Sequence, residues 1–172
     1  MSYYLLVRGP LGVGKTTVSH RLVRELHAEY VSIDRILDER GFWDSGRLSE
    51  FVKANRVAAE RARPTLVSGT PVIFDGNFYW KTQIRDLVRR LDFPHAIFTL
   101  TAPLSDCTAR DARKGSPHGS KGAREVYAKS TAFNSGTSID ATGSVDSVVR
   151  SIKSNVRSVS GAHRGGRSTA RA

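Results

Sequence analysis

The stretch GPLGVGKTT, residues 9 to 17, constrains this chain more than any other. It satisfies the pattern G-x-x-x-x-G-K-[ST] at Gly9, Gly14, Lys15 and Thr16. Before it runs YYLLV, residues 3 to 7, apolar and rich in strand formers. After it Val18, Leu22 and Leu26 recur at i, i+4 and i+8, the stripe of an amphipathic helix. A glycine turn between a buried strand and a helix N-terminus aims consecutive backbone N–H groups at one point, and the helix end adds about half a unit of positive charge there. The spacing therefore predicts a phosphate cradle built from Gly9, Pro10, Leu11, Gly12, Val13, Gly14, Lys15, Thr16 and Thr17. Lys15 is placed to reach the β and γ phosphates of a nucleotide, and the Thr16 hydroxyl to hold Mg²⁺.

The rest of the chain alternates in the same rhythm. YVSI (30–33) reads as a short strand ending at Asp34, and RILDERG as a brief helix closed by Gly41. Leu48, Phe51, Val52, Ala58, Ala59 and Ala62 share a helical face over 48–63, with Pro64 at the helix end or in the turn beyond. Val72 to Phe74 form an apolar strand ending at Asp75, and Ile84, Leu87, Val88 and Leu91 mark a helix with a basic outer face. HAIFTLT (95–101) is another strand. Residues 103–130, with RKGSPHGSKG in their middle, read as two short helices joined by a mobile loop. TSID (137–140) is a last strand, followed by a helix with Val145, Val148, Val149, Ile152 and Val156 inward. No internal repeat is visible. Strands alternating with helices predict a parallel sheet covered on both faces, with ligands at the carboxyl ends of the strands, where Asp34, Asp75 and the glycine loop all fall.

Size and charge bound the partners. A chain of 172 residues with 39% hydrophobic and 25% charged residues is one domain's worth, able to bury a core without disulfides. Its lone Cys107 reads as a small buried hydrophobe, and a reducing, cytoplasmic setting is expected, with no membrane span. The net charge of +11 should attract polyanions. Arg164, Arg167 and Arg171 in the tail 158–172 supply three of these charges, so the body keeps +8. That tail lacks periodicity and reads as disordered, leaving a domain over residues 1–157.

The pieces GPLGVGKTT, SID (32–34), VIFDGNF (72–78), TAPLSDCTARDARKG (101–115) and IDATG (139–143), in this order and spacing, resemble the small P-loop kinases. That group includes adenylate, shikimate and gluconate kinases, chloramphenicol phosphotransferase and polynucleotide 5′-kinases. The resemblance implies an α/β fold: a P-loop NTPase three-layer sandwich with a five-stranded parallel sheet of order 2-3-1-4-5 and a small arginine-rich lid over 103–130. It also implies ATP and Mg²⁺ as cofactors.

Carried over residue by residue, the resemblance gives Asp34 the place of the acid that orients or deprotonates an acceptor hydroxyl. Capping of the RILDER helix is a second and compatible role for it. Asp75 matches the Walker B-like carboxylate that holds Mg²⁺, a turn aspartate or a substrate-binding group being the other readings. DGN offers a single acid where the pattern commonly has two. Among Asn77, Phe78, Tyr79 and Trp80, Asn77 is the preferred substrate contact, against simple packing of the aromatics on the core. Arg110 and Arg113, at i and i+3, match lid arginines that close on the transferring phosphoryl group, or else form a solvated basic face. Arg110 also counts as a nucleotide contact. Arg124 is a weaker lid candidate, Asp140 and Thr142 lie on the loop expected near the adenine, and His118 reads as a surface histidine. Arg35, Arg56, Asn77 and Tyr79 can line an acceptor pocket together with Asp34.

The expected activity is transfer of the γ-phosphate of ATP to a hydroxyl of a small molecule. Two alternatives stand beside it: a polynucleotide 5′-hydroxyl kinase on RNA or DNA, and a non-catalytic ATP-dependent module that binds RNA through the basic surface.

Overall fold

The strand before the glycine loop is buried on both faces, and that placement organises everything else. In the computed structural model, which describes residues 2–42, 46–115 and 119–161, β1 (Tyr4–Arg8) has no exposed residue. Its side chains alternate between two cores. Tyr4 and Leu6 pack with Phe51, Phe74 and Leu87 on one side, and Leu5 and Val7 with Leu22, Phe98 and Ile152 on the other.

The elements follow in the order β1, α1 (Lys15–Leu26), β2 (Glu29–Ser32), α2 (Ile33–Glu39), α3 (Leu48–Val67), β3 (Val72–Asp75), α4 (Lys81–Leu91), β4 (His95–Thr101), α5 (Leu104–Ala112), α6 (Gly119–Thr131), β5 (Thr137–Asp140) and α7 (Val145–Gly161). The five strands form one parallel sheet of order β2-β3-β1-β4-β5. Helices α2, α3 and α4 cover one face, and α1 and α7 the other. The connection leaving β1 turns toward β2, whereas the one leaving β3 crosses β1 to reach β4. The carboxyl ends of β1 and β3 therefore flank a crevice of the kind that binds ligands in open α/β sheets.

Three expectations change. The chain leaves β2 at Ser32, one residue before the expected strand end, because the Ser32 hydroxyl accepts a hydrogen bond from the Arg35 N–H (3.2 Å) and starts α2 at Ile33. Asp34 is thus the second residue of a helix rather than the end of a strand, and Ser32, not Asp34, is the cap. Pro64 lies inside the last turn of α3, which continues to Val67. The carbonyl left without a donor by Pro64 belongs to Glu60 on the exposed outer face, where water can take it. Helix α7 spans Val145–Gly161, and the tail beyond it and His118 lie outside the described residues. No helix among the described residues is long and apolar enough to cross a membrane.

Candidate active site

The glycine loop owes its shape to backbone that only glycine adopts without strain. Gly14 caps α1 with φ +106°, and Gly12 (φ +76°) passes so close to α5 that a Cβ there would sit 2.0 Å from the Cys107 carbonyl oxygen. Cys107 is buried beneath the loop, as its sequence context suggested, and burial pushes its thiol up. Within the loop, Val13 donates its N–H to the Pro10 carbonyl (3.3 Å), and the Lys15 ammonium, only 7% exposed, donates to the same oxygen at 3.0 Å.

The ends of β3 and β2 bring a carboxylate to the first turn of α1. Asp75 Oδ2 accepts from the Thr16 hydroxyl at 2.9 Å and from the Tyr30 hydroxyl at 2.8 Å. Burial, and then the Asp75 charge, raise the Tyr30 hydroxyl above its ordinary range, so it remains a donor. The second oxygen, Asp75 Oδ1, is buried without a hydrogen-bond partner among the described residues. A carboxylate oxygen left free beside a threonine hydroxyl is a donor set that suits Mg²⁺, whose remaining positions are commonly filled by waters and substrate phosphates.

Asp34 faces this cluster from the first turn of α2. Burial raises its pKa from 3.8 to about 6; Lys15 opposes the rise, the Asp75 charge adds to it, and the Asn77 N–H, 3.5 Å from Oδ1, lowers it. Asn77 is itself buried, with its Oδ1 unpartnered among the described residues. Next to it, Phe78 holds a left-handed backbone (φ +48°) with its ring fully buried, a conformation that costs about 1–2 kcal/mol outside glycine and concentrates at functional sites. Tyr79 meets Phe51 and Trp80 edge to face at 5.5 and 5.6 Å, and its hydroxyl is raised by burial and then by Asp34. The Lys129 ammonium of α6 lies 6.0 Å above the Tyr79 ring.

On the far side of the loop a cavity of about 410 Å³ is lined by Gly12, Val13, Arg110, Arg113, Gly143 and Val148, among others. Arg110 crosses it, donating from Nη1 to the carbonyls of Ala141 (2.9 Å) and Val13 (3.4 Å), and from Nη2 to that of Thr142 (3.3 Å). In this arrangement its guanidinium joins α5 to the glycine loop and to the β5–α7 loop. Arg113 caps α5 at the wall of the same cavity. Asp140 is a turn aspartate whose Oδ1 accepts the Thr142 N–H at 2.9 Å, which lowers its pKa.

Two acceptor candidates stand apart. Arg56 pairs with Glu60 at 3.4 Å on the outer face of α3 and lines grooves with Arg90 that include none of Lys15, Asp34, Asp75 or Asn77, because the inward face of α3 is packed into the core. Arg35 is exposed and bonded to Glu39 at 2.9 Å, one turn along α2. Arg124 is exposed on α6. Conversely, the sequence reading passed over Tyr30, Lys129 and Arg8. The last could have been noticed as a charged residue closing a wholly buried strand.

The model for the AAA domain matches residues 5–133. The chain belongs to the AAA domain family. Solved structures resemble this AAA domain over nearly its whole length. A gluconokinase from Sinorhizobium meliloti 1021 is 14% identical with a TM-score of 0.70, covering 95% of this chain and 97% of its own. A sugar kinase from Janibacter sp. HTCC2649 is 16% identical with a TM-score of 0.77, covering 91% and 95%. A shikimate kinase from Acinetobacter baumannii is 17% identical with a TM-score of 0.57, covering 91% and 93%. No protein of curated function matches the sequence. The fold of this AAA domain is accordingly that of the small P-loop kinases, with the strand order expected from the sequence.

Proposed function

We propose that this chain is an ATP- and Mg²⁺-dependent kinase that phosphorylates an alcohol hydroxyl of a small molecule in the cytoplasm. The observation that carries the reading is Asp34, a carboxylate with a pKa raised to about 6, set across from the Lys15–Thr16–Asp75 cluster. A base of that strength at the phosphate end of a P-loop is suited to accept a hydroxyl proton near neutral pH. The kinases named among the structural relatives support it.

In this reading the loop amides and Lys15 bind the β and γ phosphates, Lys15 leaving the Pro10 carbonyl to do so. Thr16 and Asp75 hold Mg²⁺, which when bound offsets phosphate charge. Asn77 and Tyr79 position the acceptor, and Asp34 takes its hydroxyl proton as the acceptor oxygen bonds to the γ-phosphorus. The bond from that phosphorus to the β–γ bridging oxygen breaks, and ADP leaves. Arg113 and Arg110, the latter once released from its carbonyls by lid movement, offset the charge on the transferring group, and closure excludes water. Without such movement Arg110 serves the nucleotide base side alone.

One feature favours a second reading, a polynucleotide with a 5′-hydroxyl end. Lys81, Arg85 and Arg89 project along α4, which starts immediately after Trp80, and line an open groove of about 600 Å³ with His95, Ile97 and Ser135 and no acidic residue. Residues four apart on a helix are separated by about 6 Å along its axis, a rail on which successive phosphates can lie.

One assay separates the readings. The protein is incubated with Mg²⁺ and γ-labelled ATP, with a fractionated metabolite extract and 5′-hydroxyl oligonucleotides offered in parallel and Lys15→Ala as control. Label in a small-molecule fraction, lost in Lys15→Ala, is the expected result. Label on the oligonucleotide end moves the reading to a polynucleotide kinase. Label in neither, with Lys15-dependent ATP binding intact, overturns the kinase reading in favour of a non-catalytic nucleotide-dependent module.

A further inference from the structure

Arg8 is the last residue of β1, immediately before the glycine loop, and it is fully buried. No carboxylate pairs with it among the described residues; its guanidinium is instead spread over neutral oxygens from three separate segments. Nη1 donates to the Thr99 hydroxyl of β4 and to the Phe133 carbonyl, each at 3.1 Å. Nη2 donates to the Ser130 carbonyl at 2.7 Å and to the Phe78 carbonyl at 3.3 Å. The guanidinium carbon lies 4.3 Å from the centroid of the Phe133 ring.

The identity of those oxygens explains how a cation without a counter-ion is tolerated there. The Ser130 carbonyl belongs to the last turn of α6, where carbonyls lack partners within the helix and the helix end carries partial negative charge. Arg8 therefore acts as a buried C-terminal cap on α6, the helix that carries the lid back to the sheet. Burial lowers its pKa to about 10, which still leaves it charged at neutral pH. Its fourth bond reaches the carbonyl of Phe78, the residue held in a left-handed backbone between Asn77 and Tyr79.

We propose that Arg8 is a positioning residue: from beneath the site it fixes the root of the lid helix and the acceptor loop 76–80 to the strand that bears the nucleotide loop, and so sets the acceptor pocket without touching substrate. The assignment of that loop to the acceptor rests on the proposed function. A lysine at this position keeps the charge but offers three donors from one atom, which cannot span carbonyls on both sides of a planar guanidinium.

The test compares the full chain with Arg8→Lys and Arg8→Met by hydrogen exchange without acceptor, alongside binding of a fluorescent ATP analogue. Expected is a tenfold or greater loss of amide protection confined to residues 76–80 and 127–135, with α1, β3 and α7 unchanged and nucleotide affinity within twofold of the parent. Once an acceptor is in hand, its KM should rise about tenfold in Arg8→Lys while the nucleotide constant holds. Should Arg8→Met fail to fold, Arg8→Lys and Phe133→Leu, which removes only the stacked ring, carry the comparison. Protection lost evenly over the sheet, or kept at both segments, overturns the proposal. Because the exchange pattern needs no turnover, it stands or falls separately from the kinase reading.

Discussion

Asp34 is held between opposing influences on one proton. Desolvation and Asp75 favour the neutral acid, while Lys15 and the Asn77 N–H favour the carboxylate, and the balance settles near pH 6. A carboxyl whose folded pKa lies above its unfolded value of 3.8 favours the fold fully below that value and loses this contribution as pH rises through about 6. Asp34→Asn should therefore stabilise the fold at pH 7.5 by roughly 1–3 kcal/mol, raising the melting temperature by about 2–10 °C. The gain should vanish near pH 4. The same variant should lose at least 100-fold in phosphotransfer, and in the parent kcat/KM should fall as pH drops below about 6. Melting curves and rate profiles across pH 4–8 check both. A stability gain that persists at pH 4 would show that Asp34 is not the titrating group.

Among the elements, the agreement between sequence and structure follows from how local each signal is. The nucleotide loop, the strand before it and the amphipathic stripes of α1 and α4 were legible because spacing within a dozen residues defines them. The β2–α2 junction was misplaced because Ile33 is β-branched and reads as strand, yet the Ser32 hydroxyl captures the next turn and starts a helix. Arg56 falls opposite the apolar stripe of its own helix, and the structure keeps it on that outer face, paired with Glu60. Tyr30, Lys129 and Arg8 depend on tertiary neighbours 45, 50 and up to 125 positions away, which no local pattern records. Contact between elements also gives a role to a glycine the motif leaves unspecified. Gly12→Ala drives a Cβ into the Cys107 carbonyl and should destabilise by about 2–5 kcal/mol, whereas Gly69→Ala, with open space around its Cβ, should cost about 1–2 kcal/mol. Urea midpoints of the two variants test the difference. Equal midpoints would mean that α5 yields to the loop.

At the scale of the molecule the question is what a net charge of +11 is for. Arg21, Arg35, Arg61 and Lys153 pair with acids on the surface, and such exposed pairs add little to stability. The Lys81–Arg85–Arg89 groove lacks such acids, so it is where a polyanion should lie if one is bound. In the double variant Arg85→Ala and Arg89→Ala, affinity for a single-stranded 5′-hydroxyl oligonucleotide should fall, and the slope of log affinity against log salt should become shallower by about 1.4. Anisotropy titrations between 50 and 200 mM salt, on the order of the range where such contacts are readily resolved, measure it. A slope unchanged by the two substitutions would remove the polynucleotide reading and leave the small-molecule one. The bond from Lys15 to the Pro10 carbonyl bears on the same choice of ligand. Under the proposed function the resting loop carries its own placeholder, a carbonyl oxygen holding the ammonium that a phosphate oxygen would take over. Admission is then an exchange of partners, and a nucleoside that brings no phosphate to trade leaves the latch shut.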